Sequence, residues 1–122
     1  MKNCIRVYAD EKQINDCKED LLKVQDSVEL LSRAFSLAGN QVRMKILFTL
    51  WKQDKLCVCD ISDVLEMSIP AVSQHLRKLK DGNVVSSDRV GSTLFYKVQP
   101  AYIELFESIF NRINENQPLV KA

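Results

Sequence analysis

The sequence carries almost no net charge: 17 Lys and Arg against 16 Asp and Glu leave +1. An overall basic balance therefore does not draw this chain to nucleic acid, and a nucleic-acid binder of this composition needs a local basic patch. Apolar runs are short. None approaches the roughly 18 residues that cross a bilayer, and the opening MKNCIRVYADEKQ carries acids and no continuous apolar stretch, so it does not read as a signal peptide. A cytoplasmic protein with no membrane partner is expected. There is one histidine, His75. With no second histidine near it, it reads as a packing or phosphate-touching residue before a metal ligand. Internal repeats, low-complexity tracts and a cofactor-binding loop are all missing. Apart from Asp16 and Asp60, no acid or histidine neighbours the cysteines in sequence, which argues against a thiol enzyme and against an organic cofactor.

What is present suits one small domain. The chain has 122 residues, 46% of them hydrophobic, enough for an ordinary core. It also has four cysteines: Cys4, Cys17, Cys57 and Cys59. In a reducing compartment these read as metal ligands or redox groups before disulfides, with isolated core thiols as the plain alternative. Cys57 and Cys59, one residue apart, fit the plain reading least.

Spacing divides the chain. Residues 1–13 are polar without a period and read as an N-terminal arm, 14–116 as the folded domain, and 117–122 as a loose tail. From Ile14, apolar residues recur at helical spacing through Leu21, Val24, Val28, Leu31, Ala34, Phe35 and Ala38. Gly39 ends this helix in the manner of a C-cap glycine. Asn40 then caps a second helix with Val42, Ile46, Leu47 and Leu50 on one face. A third helix covers VCDISDVLE. A fourth covers IPAVSQHLRKLKD, with Ser68 as its N-cap and Pro70 in its first turn. After Gly82 the pattern turns to strand, and Val84–Ser86 and Leu94–Val98 flank a polar turn as a hairpin. Pro100 opens a last helix with Ile103, Phe106, Ile109, Phe110 and Ile113 on one face.

Two short helices, a tight turn between them and a following hairpin describe a winged helix–turn–helix: mainly α, with a small β-hairpin wing. In its second helix Val72, Leu76 and Leu79 form the core stripe. Ala71, Ser73, Gln74, Arg77 and Lys78 face out. Gln74 can pair with adenine and Ser73 can bond a base or phosphate. Arg77, Lys78 and Lys80 supply the local basic cluster, and Arg89 beside Gly91 is a candidate minor-groove probe. Double-stranded DNA is the expected partner, with His75 among the candidate contacts.

These segments resemble the ArsR/SmtB family of metal-responsive repressors. LAGNQVRMKILFTL, with Asn40 and Arg43, is similar to the family's helix before the reading unit. IPAVSQHLRKLKDGNVV is similar to its recognition helix, and GSTLFYKV to its second wing strand. LCVCD resembles the thiolate box of the arsenic and cadmium/lead branches. The resemblance spans residues 27–115 and implies a homodimer that binds operator DNA in the apo state and lets go when metal binds. Leu31, Phe35, Phe106, Ile109 and Phe110, on the first and last helices, are the expected dimer contacts, being more apolar groups than the terminal helices of a small monomer would hide.

Aligned this way, Cys57 takes an N-cap position where Ser or Thr is preferred, and Asp60 stands where a capping-box acid would. In a regular helix, residues two apart point roughly 160° away from each other. A Cys-x-Cys pair therefore chelates only where the backbone is not yet helical. The arsenic branch's third cysteine falls at Ser62, so a purely local three-sulfur site is not expected. The cadmium/lead branch recruits an N-terminal arm, which points to Cys4. That branch's second arm cysteine falls at Tyr8, leaving Cys17 as the available substitute. The implied effector is a soft metal held by Cys4, Cys17, Cys57 and Cys59: cadmium, lead, mercury or zinc, or arsenite. The family's His/carboxylate site on the last helix is not expected, because Pro100 and Tyr102 stand where Asp and His are needed. The alternative is a thiol-redox repressor of the same fold, in which Cys57 or Cys59 forms a disulfide with Cys4 or Cys17.

Overall fold

The computed structural model describes residues 4–117 and divides into two units, Met1–Arg33 and Ala34–Ala122. Helix α1, Glu11–Ala38, begins in the first and ends in the second. It starts three residues before the apolar period does, because Asp10 caps it. The Asp10 carboxylate accepts from the Gln13 amide at 3.0 Å, and its carbonyl accepts from Ile14 at 3.0 Å. The signal was in the sequence, an acid followed three residues on by glutamine. The expected arm thus gives up Glu11, Lys12 and Gln13 to α1. Residues 1–3, and 118–122 of the expected tail, lie outside the described residues. Within the first unit α1 presents Leu21, Leu22, Val24, Val28, Leu30 and Leu31 to solvent.

In the second unit, Asn40 caps α2 (Gln41–Gln53) by accepting from the Arg43 amide at 3.0 Å. Gly39 closes α1 through its amide on Phe35 O at 2.8 Å, but it is not the left-handed cap expected of it, since Gly91 is the one described glycine with positive φ. α3 is Val58–Leu65 and α4 is Ile69–Asp81. Between them Glu66 takes a left-handed conformation at φ 54°. The turn is closed by the Glu66 amide on Asp63 O at 3.3 Å and the Met67 amide on Ser62 O at 3.1 Å, the paired bonds of a Schellman motif. Ser68 caps α4, accepting from the Ala71 amide at 3.3 Å, with Pro70 in the first turn as expected.

The wing differs from the expected pair of short strands. β2 (Val85–Val90) and β3 (Thr93–Val98) are longer, and β1 (Leu56–Cys57) adds a third antiparallel strand in the order β1-β3-β2. Ser87, Asp88 and Arg89 carry no apolar signal, yet they pair with Tyr96, Phe95 and Leu94. Gly91, at φ 64°, is the first central residue of the two-residue turn, the position that needs glycine in a II′ hairpin. α5 runs Pro100–Asn114.

The core gathers Ile46, Leu47 and Leu50 of α2, Ile61 of α3, the stripe Val72, Leu76 and Leu79 of α4, and Val84, Val85 and Val98 of the wing root. Phe106 and Phe110 complete it, at 1% and 0% exposure. Trp51 lies 5.4 Å from Phe110 between ring centroids, and Phe35 meets Phe106 edge-on at 5.7 Å. This corrects the expected dimer set. Phe106 and Phe110 fill the protomer's own core and have no surface left for a partner. Leu31 (37%) and Phe35 (49%) remain exposed, and Ile109 is half-buried.

Candidate functional site

Helix α4 divides as its sequence indicates. Because Val72, Leu76 and Leu79 are buried, Ser73, Gln74, Arg77, Lys78 and Lys80 are carried to the exposed side, while Ala71 is half-buried at the first turn. The exposed side forms one wall of an open groove of about 400 Å³, lined by Ser73, Gln74, Arg77, Lys80, Asp81 and Tyr96. Sequence reasoning missed Tyr96. Its hydroxyl-bearing ring stands in an alternating strand, and only the pairing of β3 with both neighbours brings it to α4. Asp81 was also missed, and its carboxylate sets a negative charge within the cationic groove. Arg89 is exposed on β2 just before the Gly91 turn, where a wing can reach a second stretch of backbone.

His75 sits at the edge of the buried stripe, half-buried, with its Nδ1 3.4 Å from Nη1 of Arg43. Arg43 is itself fixed, its Nε donating to Leu37 O at 2.6 Å. Burial first, then the charges of Arg43 and Lys78, lower the pKa of His75 from its ordinary 6.5. The unfolded chain thus binds this proton more readily than the folded one. The associated stability is fully present above pH 6.5 and declines as pH falls below it toward the folded value. His75→Gln should flatten this acid limb, which urea midpoints measured between neutral pH and about pH 5 will show.

The cysteines are all free thiols. Cys57 is half-buried, and Cys4, Cys17 and Cys59 are exposed. Cys57 is the N-cap of α3, with extended backbone at φ −83° and ψ 165°, and its sulfur makes no capping bond. Asp60 makes no return bond to it either, so the expected capping box does not form. What holds Cys57 extended is the sheet: it pairs with Phe95 of β3, while Leu56 pairs with Tyr96. Cys59 lies in the first turn of α3. The pair therefore straddles the change from strand to helix, where two thiols two residues apart need not point in opposite directions. Lys55 stacks its ammonium 5.2 Å from the Phe95 ring centre, steadying the same strand end.

Ser62 occupies the place of a third local thiol. It is buried at 8% exposure, and its hydroxyl donates to Met67 O across the helix–turn–helix turn. That position serves the turn and not a ligand set. Among the described residues no three His, Cys, Asp or Glu side chains of one chain gather closely enough to hold a metal. The donor chemistry of Cys57 and Cys59 suits a soft ion, but two sulfurs fall short of the three or four such ions take.

Residues 40–87 match the model of the bacterial regulatory protein, arsR family. The chain is 30% identical over 108 residues to a cadmium resistance transcriptional regulatory protein CadC homolog of Staphylococcus aureus, covering 88% of each chain. It is 32% identical to the cadmium resistance transcriptional regulatory protein CadC of Listeria innocua, covering 73% of each. Among solved structures it resembles HlyU from Vibrio cholerae with a TM-score of 0.66 and 25% identity, over 71% of this chain and 94% of that one. The family and fold are those of DNA-binding transcriptional regulators and not of enzymes. With a recognition helix, a wing and a match along most of two curated relatives, the chain belongs to the ArsR family of bacterial regulatory proteins.

Proposed function

We propose that this protein is a metal-responsive repressor that binds operator DNA as an apo homodimer and is released when Cys57 and Cys59 take up a soft metal ion. Cadmium is favoured by the two relatives named for cadmium resistance. Lead, mercury, zinc and arsenite share the thiolate chemistry. The observation that carries this reading is the placement of Cys57. It caps α3, the first helix of the reading unit, and pairs with β3, the inner strand of the wing, while its sulfur makes no capping hydrogen bond. A ligand drawing on this residue acts on both DNA-touching elements at once. Thiols of the N-terminal region, Cys4 and Cys17, complete the ligand set in this proposal.

Metal binding then favours an arrangement in which the two reading heads no longer match successive major grooves, a shift between populations of one dimer. A second copy is the natural cover for the exposed leucines and valines of α1, with Phe35 and Ile109 contributing from the second unit. On the DNA side, α4 enters the major groove, Gln74 and Ser73 read base edges, and Arg77, Lys78, Lys80 and Arg89 hold the backbone.

The test uses duplexes selected by the reduced apo-protein from a random-sequence pool. Gln74→Ala and Ser73→Ala should lose about 1–3 kcal/mol of discrimination between selected and random DNA. Lys78→Ala and Arg89→Ala should weaken binding to both and lessen its salt dependence. Equal losses on selected and random DNA for the Gln74 and Ser73 variants contradict this assignment of the reading face. A redox repressor is the competing reading of the same thiols. It is separated by asking whether the fully reduced protein, under a reductant, binds metal and leaves DNA.

A further inference from the structure

The contact between Arg43 and His75 does chemical work beyond packing. A guanidinium has only donors, so the ring nitrogen facing it must be the one without a proton. That nitrogen is Nδ1, 3.4 Å from Arg43 Nη1. A neutral imidazole with a bare Nδ1 carries its proton on Nε2. Nε2 is not sealed inside the protein, since the single buried, unpartnered side-chain nitrogen or oxygen among the described residues is Ser86 Oγ. His75 thus offers one directed N–H donor to solvent, midway along α4 and next to Gln74. It is half-buried, beside the exposed Ser73 and Gln74. Arg43 is no loose partner, because its own Nε is held by Leu37 O at 2.6 Å and its amide by the Asn40 cap.

We propose that Arg43 is a positioning residue that fixes His75 as a neutral Nε2–H donor to a phosphate oxygen of the DNA backbone, setting the depth of α4 in the groove. This rests on the reading of α4 as the DNA-binding helix. The chemistry suits a phosphate. A neutral N–H fixes register without adding a net charge, so the contact orients the helix but contributes little to the salt dependence that the lysines and arginines create. The charged groups facing the ring are Arg43 from α2 and Lys78 from α4, and both favour its neutral form.

The experiment compares two isosteres on the intact protein. The amide nitrogen of Gln reaches about where Nε2 stands, and that of Asn about where Nδ1 stands. His75→Gln should hold selected DNA within about threefold of wild type, whereas His75→Asn should weaken it about tenfold or more, the loss expected for a hydrogen bond to a charged oxygen. The salt slope should be the same in both. Nitrogen-15 spectra of the imidazole should report the Nε2–H form in the free protein, and Arg43→Lys, which keeps a donor cation, should retain more of it than Arg43→Ala. Equal affinities for the Gln and Asn variants, or an Nδ1–H ring in the wild type, overturn the proposal. If the wild type binds no duplex, the DNA reading fails and the phosphate contact with it, a failure recognised by an Nε2–H ring spectrum that persists.

Discussion

Replacing Cys57 and Cys59 together by serine should yield a repressor that still binds its duplex but no longer leaves it when cadmium is added. Wild-type protein should lose about 5–150-fold in DNA affinity on metal binding, the range of a coupling of about 1–3 kcal/mol. The double variant should lose none. The substitution is gentle on the fold. Serine is a preferred N-cap, and the half-buried Cys57 caps α3 without a hydrogen bond from its sulfur, so serine at position 57 loses no capping bond and has one to gain. Cys59 is exposed and takes no structural bond. Electrophoretic mobility or anisotropy titrations with and without cadmium measure the effect. Replacing Cys4 alone should give a partial response, since two local sulfurs remain. Cys17→Ser decides the last ligand: a shift of the cadmium spectrum from four to three sulfurs places Cys17 in the set.

The second large effect lies in the core. Phe110→Ala should cost about 3–5 kcal/mol of stability, as large-to-small changes of fully buried aromatics do. The ring is 0% exposed and packs on Trp51 and Phe106, at 5.4 and 5.8 Å between centroids. A truncation there leaves a cavity bounded by other rings that cannot collapse onto it. Leu31→Asp should behave in the opposite way. Leu31 is 37% exposed and belongs to the α1 surface assigned to the partner copy. A carboxylate there should leave each protomer folded and halve the mass seen in sedimentation. Urea denaturation and sedimentation together separate the two. A Phe110→Ala protein that stays folded and turns monomeric would show that this ring belongs to the dimer contact after all.

The contrast between Phe110 and Leu31 shows where periodicity stops being informative. Both lie on amphipathic helices at the chain's ends, and the spacing of their neighbours is the same kind of signal. Spacing says that a face is covered, not by what. The rings of α5 are covered by Trp51 and α2, which no local pattern could announce. Where the covering element is adjacent in sequence the reading succeeds: the bounds of α4, its Ser68 cap and its Val72, Leu76 and Leu79 stripe all follow from local rules. β1 was illegible for another reason. Two residues, one of them a cysteine, make no period, and Leu56–Cys57 is a strand only because β3 lies beside it. The same pairing explains how Cys57 stays extended at a helix start, which the sequence placed correctly but credited to capping. The acceptor role of His75 is likewise tertiary, since Arg43 stands 32 residues before it in the chain. The exposed side chains of α4 were legible because such a helix is read by subtraction: what the core does not take is left to solvent.

In the proposed mechanism thiolate metal binding and DNA binding oppose each other through Cys57 and Cys59. This opposition is tested most directly from the metal side, by titrating the reduced apo-protein with cadmium and following the ultraviolet thiolate-to-metal band with and without the selected duplex. Linkage requires DNA to weaken cadmium binding by the same factor by which cadmium weakens DNA binding, about 5–150-fold. The wild type should show a band, the Cys57→Ser, Cys59→Ser variant should lose it, and the titration should shift to higher cadmium when DNA is present. A wild-type protein without the band, or with the same cadmium affinity on and off DNA, would contradict the proposed mechanism.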